Sequence, residues 1–191
     1  MTLKSIPGSG MEIVIERCGR GEEIRLDSST NIDNLVDRLC FVNFCQWHLE
    51  DALHDPSLTP EKALELVRAL QSSNIERIFL IEQIDRYLMD ARGKDDIIVA
   101  PQTELGFHET LGQLLDSLSI AYIRKYHMER LLVKDLFNHP HSGYKISDAV
   151  LAIKKQIVLI EHTYLRVQNM FMCGEIDLPP FSRFKMYRLP E

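Results

Sequence analysis

Between Gly143 and Gly174 apolar residues recur every three or four positions without a break: Ile146, Val150, Ile153, Ile157, Ile160, Tyr164, Val167 and Phe171. That spacing keeps one face of a 3.6-residue helix apolar, whereas a strand alternates its faces every second residue. A helix of this kind is held by burial of its stripe, so it demands partners. Three stretches of the same character precede it. The first runs from about Asn31 to His54, with Ile32, Val36, Leu39, Cys40 and Trp47 on one face. Asp27-Ser28-Ser29-Thr30 offers N-caps for it, and Asp55-Pro56 ends it. Thr59-Pro60-Glu61 then supplies a cap, a proline at the first helical position and an early acid. The second stretch continues to about Ala91 on Ala63, Val67, Leu70, Asn74, Arg77, Ile81, Ile84 and Leu88. Beyond a linker through Gly93, Pro101 and Gly106, the third spans about His108 to Phe137, carrying Leu111, Leu115, Leu118, Tyr122, Lys125, Glu129, Leu132 and Leu136 in line.

Four long amphipathic helices predict an all-α fold, an antiparallel up-and-down four-helix bundle forming one domain over residues 31–191. Residues 1–30 read as a leader with a short β-hairpin. Pro7-Gly8-Ser9-Gly10 has linker composition, Met11 to Glu16 alternates in part, Cys18-Gly19-Arg20-Gly21 is turn-like, and Glu23 to Leu26 would be the returning strand. No internal repeat marks a solenoid.

Composition narrows the function classes. A formal charge of −6 disfavours wrapping of a nucleic-acid backbone. No apolar run reaches the ~18 residues of a membrane helix, and the first residues lack a cleavable signal, so membrane insertion is not expected and a cytoplasmic location is. Cys18, Cys40, Cys45 and Cys173 lack metal or redox spacing, Cys40 and Cys45 sit inside an apolar helical run, and the cysteines read as buried reduced thiols.

Polar residues inside the apolar stripes need a reason. Two patches stand out, Trp47-His48-Leu49-Glu50-Asp51 and Lys125-Tyr126-His127-Met128-Glu129. Antiparallel helices rise ~1.5 Å per residue from their connecting loops, which sorts the polar groups into two levels. One holds Glu82, Asp85, Glu109 and Asp116, with Arg77 and Ser119 a turn deeper; the other holds Asn43, Trp47, His48, Glu50 and Asp51 beside Arg124, His127 and Glu129. On the third helix, Glu109, Gly112, Asp116, Ser119, Ile123, Tyr126 and His127 share a side distinct from the leucine stripe. That second side is expected to face another helix, a second subunit or a ligand.

The acidic level has the donor type for Mg²⁺, yet pairing with Arg77, Arg86 and Arg92 is the simpler expectation. His48, Asp51 and His127 have the composition of a two-histidine, one-carboxylate transition-metal site; hydrogen-bonded core histidines are the plainer reading. Ser119 lacks the strand-turn-helix setting of an activated nucleophile, and His139 and His141 flank Pro140 in a loop. His54 is placed as a cation at a helix C-terminus. No motif spells out a reaction.

Several blocks in order carry a resemblance: Gln46-Trp47-His48-Leu49-Glu50-Asp51 with Asp55-Pro56, Ser73-Asn74 with Arg77, Ile84-Asp85, Glu109, Asp116 with Leu118-Ser119-Ile120, Tyr126-His127-Met128, and Lys185-Met186-Tyr187. Over about residues 31 to 188 the chain resembles the bacterial domain-of-unknown-function family 4254. The resemblance implies a bacterial, all-helical protein of a kind often encoded near cell-envelope polysaccharide glycosyltransferases, and it brings no activity. The chain departs from the family pattern at Ile75, Phe79 and Ser117, where a Gln, an acid and an Arg are expected. Those departures thin the middle polar layer and leave His48, Asp51, Asp116 and His127 as the remaining candidates.

Two functions stay open. In one, a small polar ligand or divalent metal is bound, with Asn43, Trp47, Asn74, Arg77, Glu109, Asp116, Ser119 and Arg124 as ligand-contacting candidates and His48, Asp51 and His127 as metal ligands. In the other, the same groups fix helix register and pairing in a homo-oligomer or adaptor.

Overall fold

The computed structural model describes residues 8–22, 31–93, 109–138 and 143–178. Among these residues there are five helices and no strand: α1 (Gly8–Gly19), α2 (Ile32–Leu53), α3 (Pro60–Arg92), α4 (Leu111–Asn138) and α5 (Gly143–Met172). The all-α expectation holds, with one helix more than the periodicity predicts. None of the helices is long and apolar enough to cross a membrane.

The helix limits follow the capping chemistry. Asn31 caps α2 by accepting the Asn34 amide at 2.8 Å, and Thr59 caps α3 by accepting from the Lys62 amide with Pro60 behind it. Gly93 and Gly174 close α3 and α5 at positive φ of 81° and 73°. At the start of α4 the Thr110 hydroxyl accepts the Gln113 amide and the Gln113 side chain accepts the Thr110 amide, at 3.2 and 2.8 Å. This reciprocal box sets Leu111, rather than His108, as the first helical residue.

The N-terminal hairpin is the main correction. Met11 to Glu16 is helical, because the residues that bury are Met11, Val14 and Ile15, with Cys18 packed partly against them. Their spacing of three, four and seven places all four on one helix face, and Ile13, which strand alternation would pair with Met11 and Ile15, is exposed. The expected return strand at Glu23 to Leu26 lies outside the described residues. α1 therefore joins the same apolar core as the other helices.

α2 packs along α3, and α4 along α5; α1 lies on α2 and α4, and α4 also touches α2 and α3. Helix α4 thus touches each of the other four described helices, which accounts for its two-sided polarity. The core runs through Leu39 and Cys40 of α2, Leu80 and Ile84 of α3, Leu115 and Leu118 of α4, and Tyr164 and Val167 of α5. Along α3 burial begins only at Leu80; Ala63 and Leu70 are half-buried and Val67 is exposed, so the first part of the expected stripe stays outside the core.

The expectation of buried thiols holds for Cys40 alone: Cys18 and Cys45 are half-buried and Cys173, just past the end of α5, is exposed; all are free. Burial, with Cys45 close by, pushes the Cys18 thiol up to about 11, so it is protonated at neutral pH.

Candidate functional site

The polar side of α4 faces α2 and α3, and its residues divide into three structural groups. At its first turn, Asp85 of α3 accepts the Gly112 amide at 2.7 Å. This amide is one of the four that a helix start leaves without an internal partner, and the carboxylate sits at the positive end of α4. Burial pushes the Asp85 carboxyl up from its usual range, against the Thr110 hydroxyl and Gly112 amide that hold it down. The helices meet closely here. A Cβ on Gly112 would lie 2.8 Å from the Ile81 carbonyl oxygen.

One turn on, four side chains from three helices lock together. Both nitrogens of the Arg77 fork donate to Asp116, Nε at 2.8 Å to Oδ1 and Nη2 to Oδ2. Asn43 Nδ2 donates to the same Asp116 Oδ1 at 2.9 Å and also to Ser119 Oγ, and the Ser119 hydroxyl donates to the Asp116 carbonyl at 2.9 Å. Asn43, Asp116 and Ser119 are buried, and Arg77 reaches in from a half-exposed position. Asp116, the first cause of the effect, holds the Arg77 guanidinium above its ordinary value. A fork-to-carboxylate pair of this kind fixes both distance and orientation of α3 on α4.

The third group is aromatic. The His127 ring stacks on Trp47 with centroids 4.9 Å apart and planes 7° apart, lies 5.7 Å from Phe44, and meets His48 and Tyr126 edge-on at 5.4 and 5.2 Å. His127 Nε2 is buried without a hydrogen-bond partner among the described residues. Burial first, then His48 and Arg130, push the His127 imidazolium below its ordinary value while Asp51 opposes them, so the ring is neutral at pH 7. Beside this stack a cleft of about 460 Å³ opens between α2 and α4, lined by Trp47, Asp51, His127, Arg130, Leu131 and Lys134.

A buried donor or acceptor without a partner costs stability that an apolar atom in its place would not. His127→Phe keeps the stacking surface and deletes the orphan nitrogen, so its thermal midpoint should rise by roughly 2–4 °C, about 1 kcal/mol. A fall in the midpoint on differential scanning calorimetry would mean that Nε2 is engaged in solution.

These positions match a family model. Residues 33–156 fit the family described as Protein of unknown function (DUF4254). The chain belongs to the DUF4254 family. No curated protein and no solved structure matches it.

The DUF4254 chain redistributes the residues singled out by sequence. Asn43, expected beside Trp47, belongs with Arg77, Asp116 and Ser119, because its side chain leaves α2 toward the first half of α4. The acids do not gather: Asp116 is taken by Arg77, Asp85 by the Gly112 amide, and Glu109 is exposed. Asn74 is half-buried and takes no part in the bonds that join Asn43, Arg77, Asp116 and Ser119. Arg124 is exposed and turned to Gln156 of α5 at 3.4 Å, and Glu129 pairs with Lys154 of α5 at 2.8 Å, so neither joins the cleft. His54 is the exposed C-cap of α2, and His139 and His141 lie outside the described residues.

His48, Asp51 and His127 come to one end of α2 and α4, but stacking against Trp47 fixes the His127 ring, and no three His, Cys, Asp or Glu side chains among the described residues are grouped as metal ligands. Ile75 and Phe79 are exposed on α3. Sequence reasoning missed Phe44, Arg130, Leu131 and Lys134. The signal was present: Arg130, Leu131 and Lys134 follow His127 by three, four and seven places, on one helix face.

Proposed function

We propose that this DUF4254 protein binds a small polar ligand in the cleft between α2 and α4, on a bundle whose neighbouring helices run antiparallel. The observation that carries the reading is the setting of His127, a neutral imidazole stacked on Trp47 at the wall of a cleft that also holds Asp51, Arg130 and Lys134. A volume of about 460 Å³ falls in the range of small-molecule sites. Aromatic walls with a few charged groups are the usual lining of such sites.

The chain contains one tryptophan, and it lines the cleft. Trp47 emission is therefore a local reporter. Titration with a panel of sugars, amino acids, nucleotides and divalent cations should yield at least one saturable change in emission, accompanied by a higher thermal midpoint. A panel without any such response would overturn the ligand reading. Elemental analysis of protein purified without chelator or metal resin addresses the metal form of the proposal: near-stoichiometric metal would make His48, Asp51 and His127 its ligand set.

A structural role is favoured for the other polar group. Asn43, Arg77, Asp116 and Ser119 bond to one another across three helices, as groups that set register do, with the Asn43 Oδ1 alone left without a partner among the described residues. We assign them to holding the scaffold rather than to contacting the ligand.

A further inference from the structure

We propose that the α2–α4 cleft selects a small organic anion, one with a flat or apolar body and a phosphate or carboxylate at one end. This deepens the binding reading above and rests on it. The cleft is built from two facing helical stripes. α2 contributes Trp47 and, one turn later, Asp51; α4 contributes His127, then Arg130 and Leu131, then Lys134. With His127 neutral at pH 7, the charges that the described residues place on the walls are two cations against one carboxylate. Arg130 and Lys134 lie at i and i+4, so they share one edge of the cleft. The opposite chemistry lies beside them. The Trp47 and His127 rings and Leu131, which is 49% exposed, offer a flat and apolar surface.

Arg130 is also held in place. One of its nitrogens, Nη1, donates to the Tyr126 hydroxyl at 2.7 Å, and its guanidinium lies 5.3 Å from the Tyr126 ring centre. Tyr126 in turn presses on α1, where a Cβ at Gly19 would overlap its hydroxyl. A guanidinium has five N–H donors, so the bond to Tyr126 orients the fork and leaves capacity for a carboxylate or phosphate. Orienting an arginine that has no carboxylate partner among the described residues beside a stacking surface is the arrangement an anion reads; a surface arginine serving solubility needs no such support. Asp51, the acid among the described lining residues, is placed to accept a hydrogen bond from a hydroxyl or amine of the ligand body.

The test uses the full chain and four probes read by Trp47 emission, with free N-acetyltryptophanamide as the optical control: phenyl phosphate, benzoate, benzyl alcohol and inorganic phosphate. Phenyl phosphate or benzoate should bind saturably, at least tenfold more tightly than benzyl alcohol and than inorganic phosphate; which of the two is tighter names the anionic group. Arg130→Ala with Lys134→Ala should weaken the preferred anion at least tenfold and leave benzyl alcohol unchanged. Tyr126→Phe, which removes the hydroxyl that orients Arg130, should weaken the anion several-fold and raise its salt sensitivity. Circular dichroism and the thermal midpoint verify that each variant folds; if the double alanine variant does not, Lys134→Glu replaces it. Benzyl alcohol binding as tightly as the anions overturns the anion inference while the cleft reading stands. Absence of binding by all four probes also overturns it, and the wider ligand panel then decides the cleft reading separately.

Discussion

Asp116→Ala should lower the stability of this protein by about 3 to 5 kcal/mol, moving the thermal midpoint down by roughly 6 to 15 °C. The carboxylate is buried, and it is the shared acceptor for both arms of the Arg77 fork and for Asn43. Its removal strands a partly buried guanidinium and a buried amide together and leaves a cavity between α2, α3 and α4. The loss is much larger than that of an ordinary surface ion pair, which is worth ~0–1 kcal/mol. Removing both partners is expected to cost less than removing one. Asp116→Ala with Arg77→Met should recover about half of the deficit, since the penalty lies in the orphaned charge rather than in the lost attraction. Urea unfolding of the two single variants and the double variant checks this. A single-variant loss below about 1 kcal/mol would show that the pair is solvated like a surface bridge.

Gly112→Ala should be the second most damaging of the substitutions considered, at about 2 to 4 kcal/mol, although alanine favours a helix over glycine by ~1 kcal/mol. Packing outweighs propensity because the new Cβ would meet the Ile81 carbonyl at 2.8 Å and Asp85 Oδ1 at 3.0 Å, and the first of these is backbone that cannot swing aside. Pushing α4 from α3 also lengthens the hydrogen bond that the Gly112 amide donates to the buried Asp85 carboxylate. Gly10 is the internal control. A Cβ there meets only Asp37 Oδ1 at 3.9 Å, an ordinary contact, so Gly10→Ala should be neutral or stabilising by up to ~1 kcal/mol. Equal urea midpoints for the two alanine variants would remove the close approach of α3 and α4 as an explanation for the glycine.

Both predictions turn on tertiary contacts, and the division between what was legible and what was not follows from that. The limits of α2 and α3 were readable to within a residue because caps and prolines act locally: Asn31, His54, Thr59 and Pro60 do their work within a turn of chain. The two-sided character of α4 was readable as well, since a second polar stripe on a long helix needs a second neighbour, and α2 and α3 are that neighbour. The Thr110 and Gln113 box was equally local but fell within the expected first turn, and it shortens α4 by three residues.

Local pattern failed where two periods overlapped. In Met11 to Cys18 both strand alternation and a helical face can be drawn through the same apolar residues, and only contact with α2 and α4 selects the helix. It failed again for side-chain pairing. Levels counted from the loops placed Asn43 with Trp47, an error of about one turn, and one turn is the distance that separates the Asp116 network from the aromatic stack.

The sequence by itself determined the helical class, the ends of α2 and α3, and which residues are out of place in an apolar stripe, because these depend on the order of residues within one or two turns. Tertiary structure decided that Asp116 belongs to Arg77 and Asn43, that Asp85 holds the start of α4, and that His127 stacks on Trp47 beside Arg130 and Lys134. Those pairings join residues far apart in the chain, and their geometry depends on how far one helix is shifted and rotated against another, a quantity that no single helix encodes.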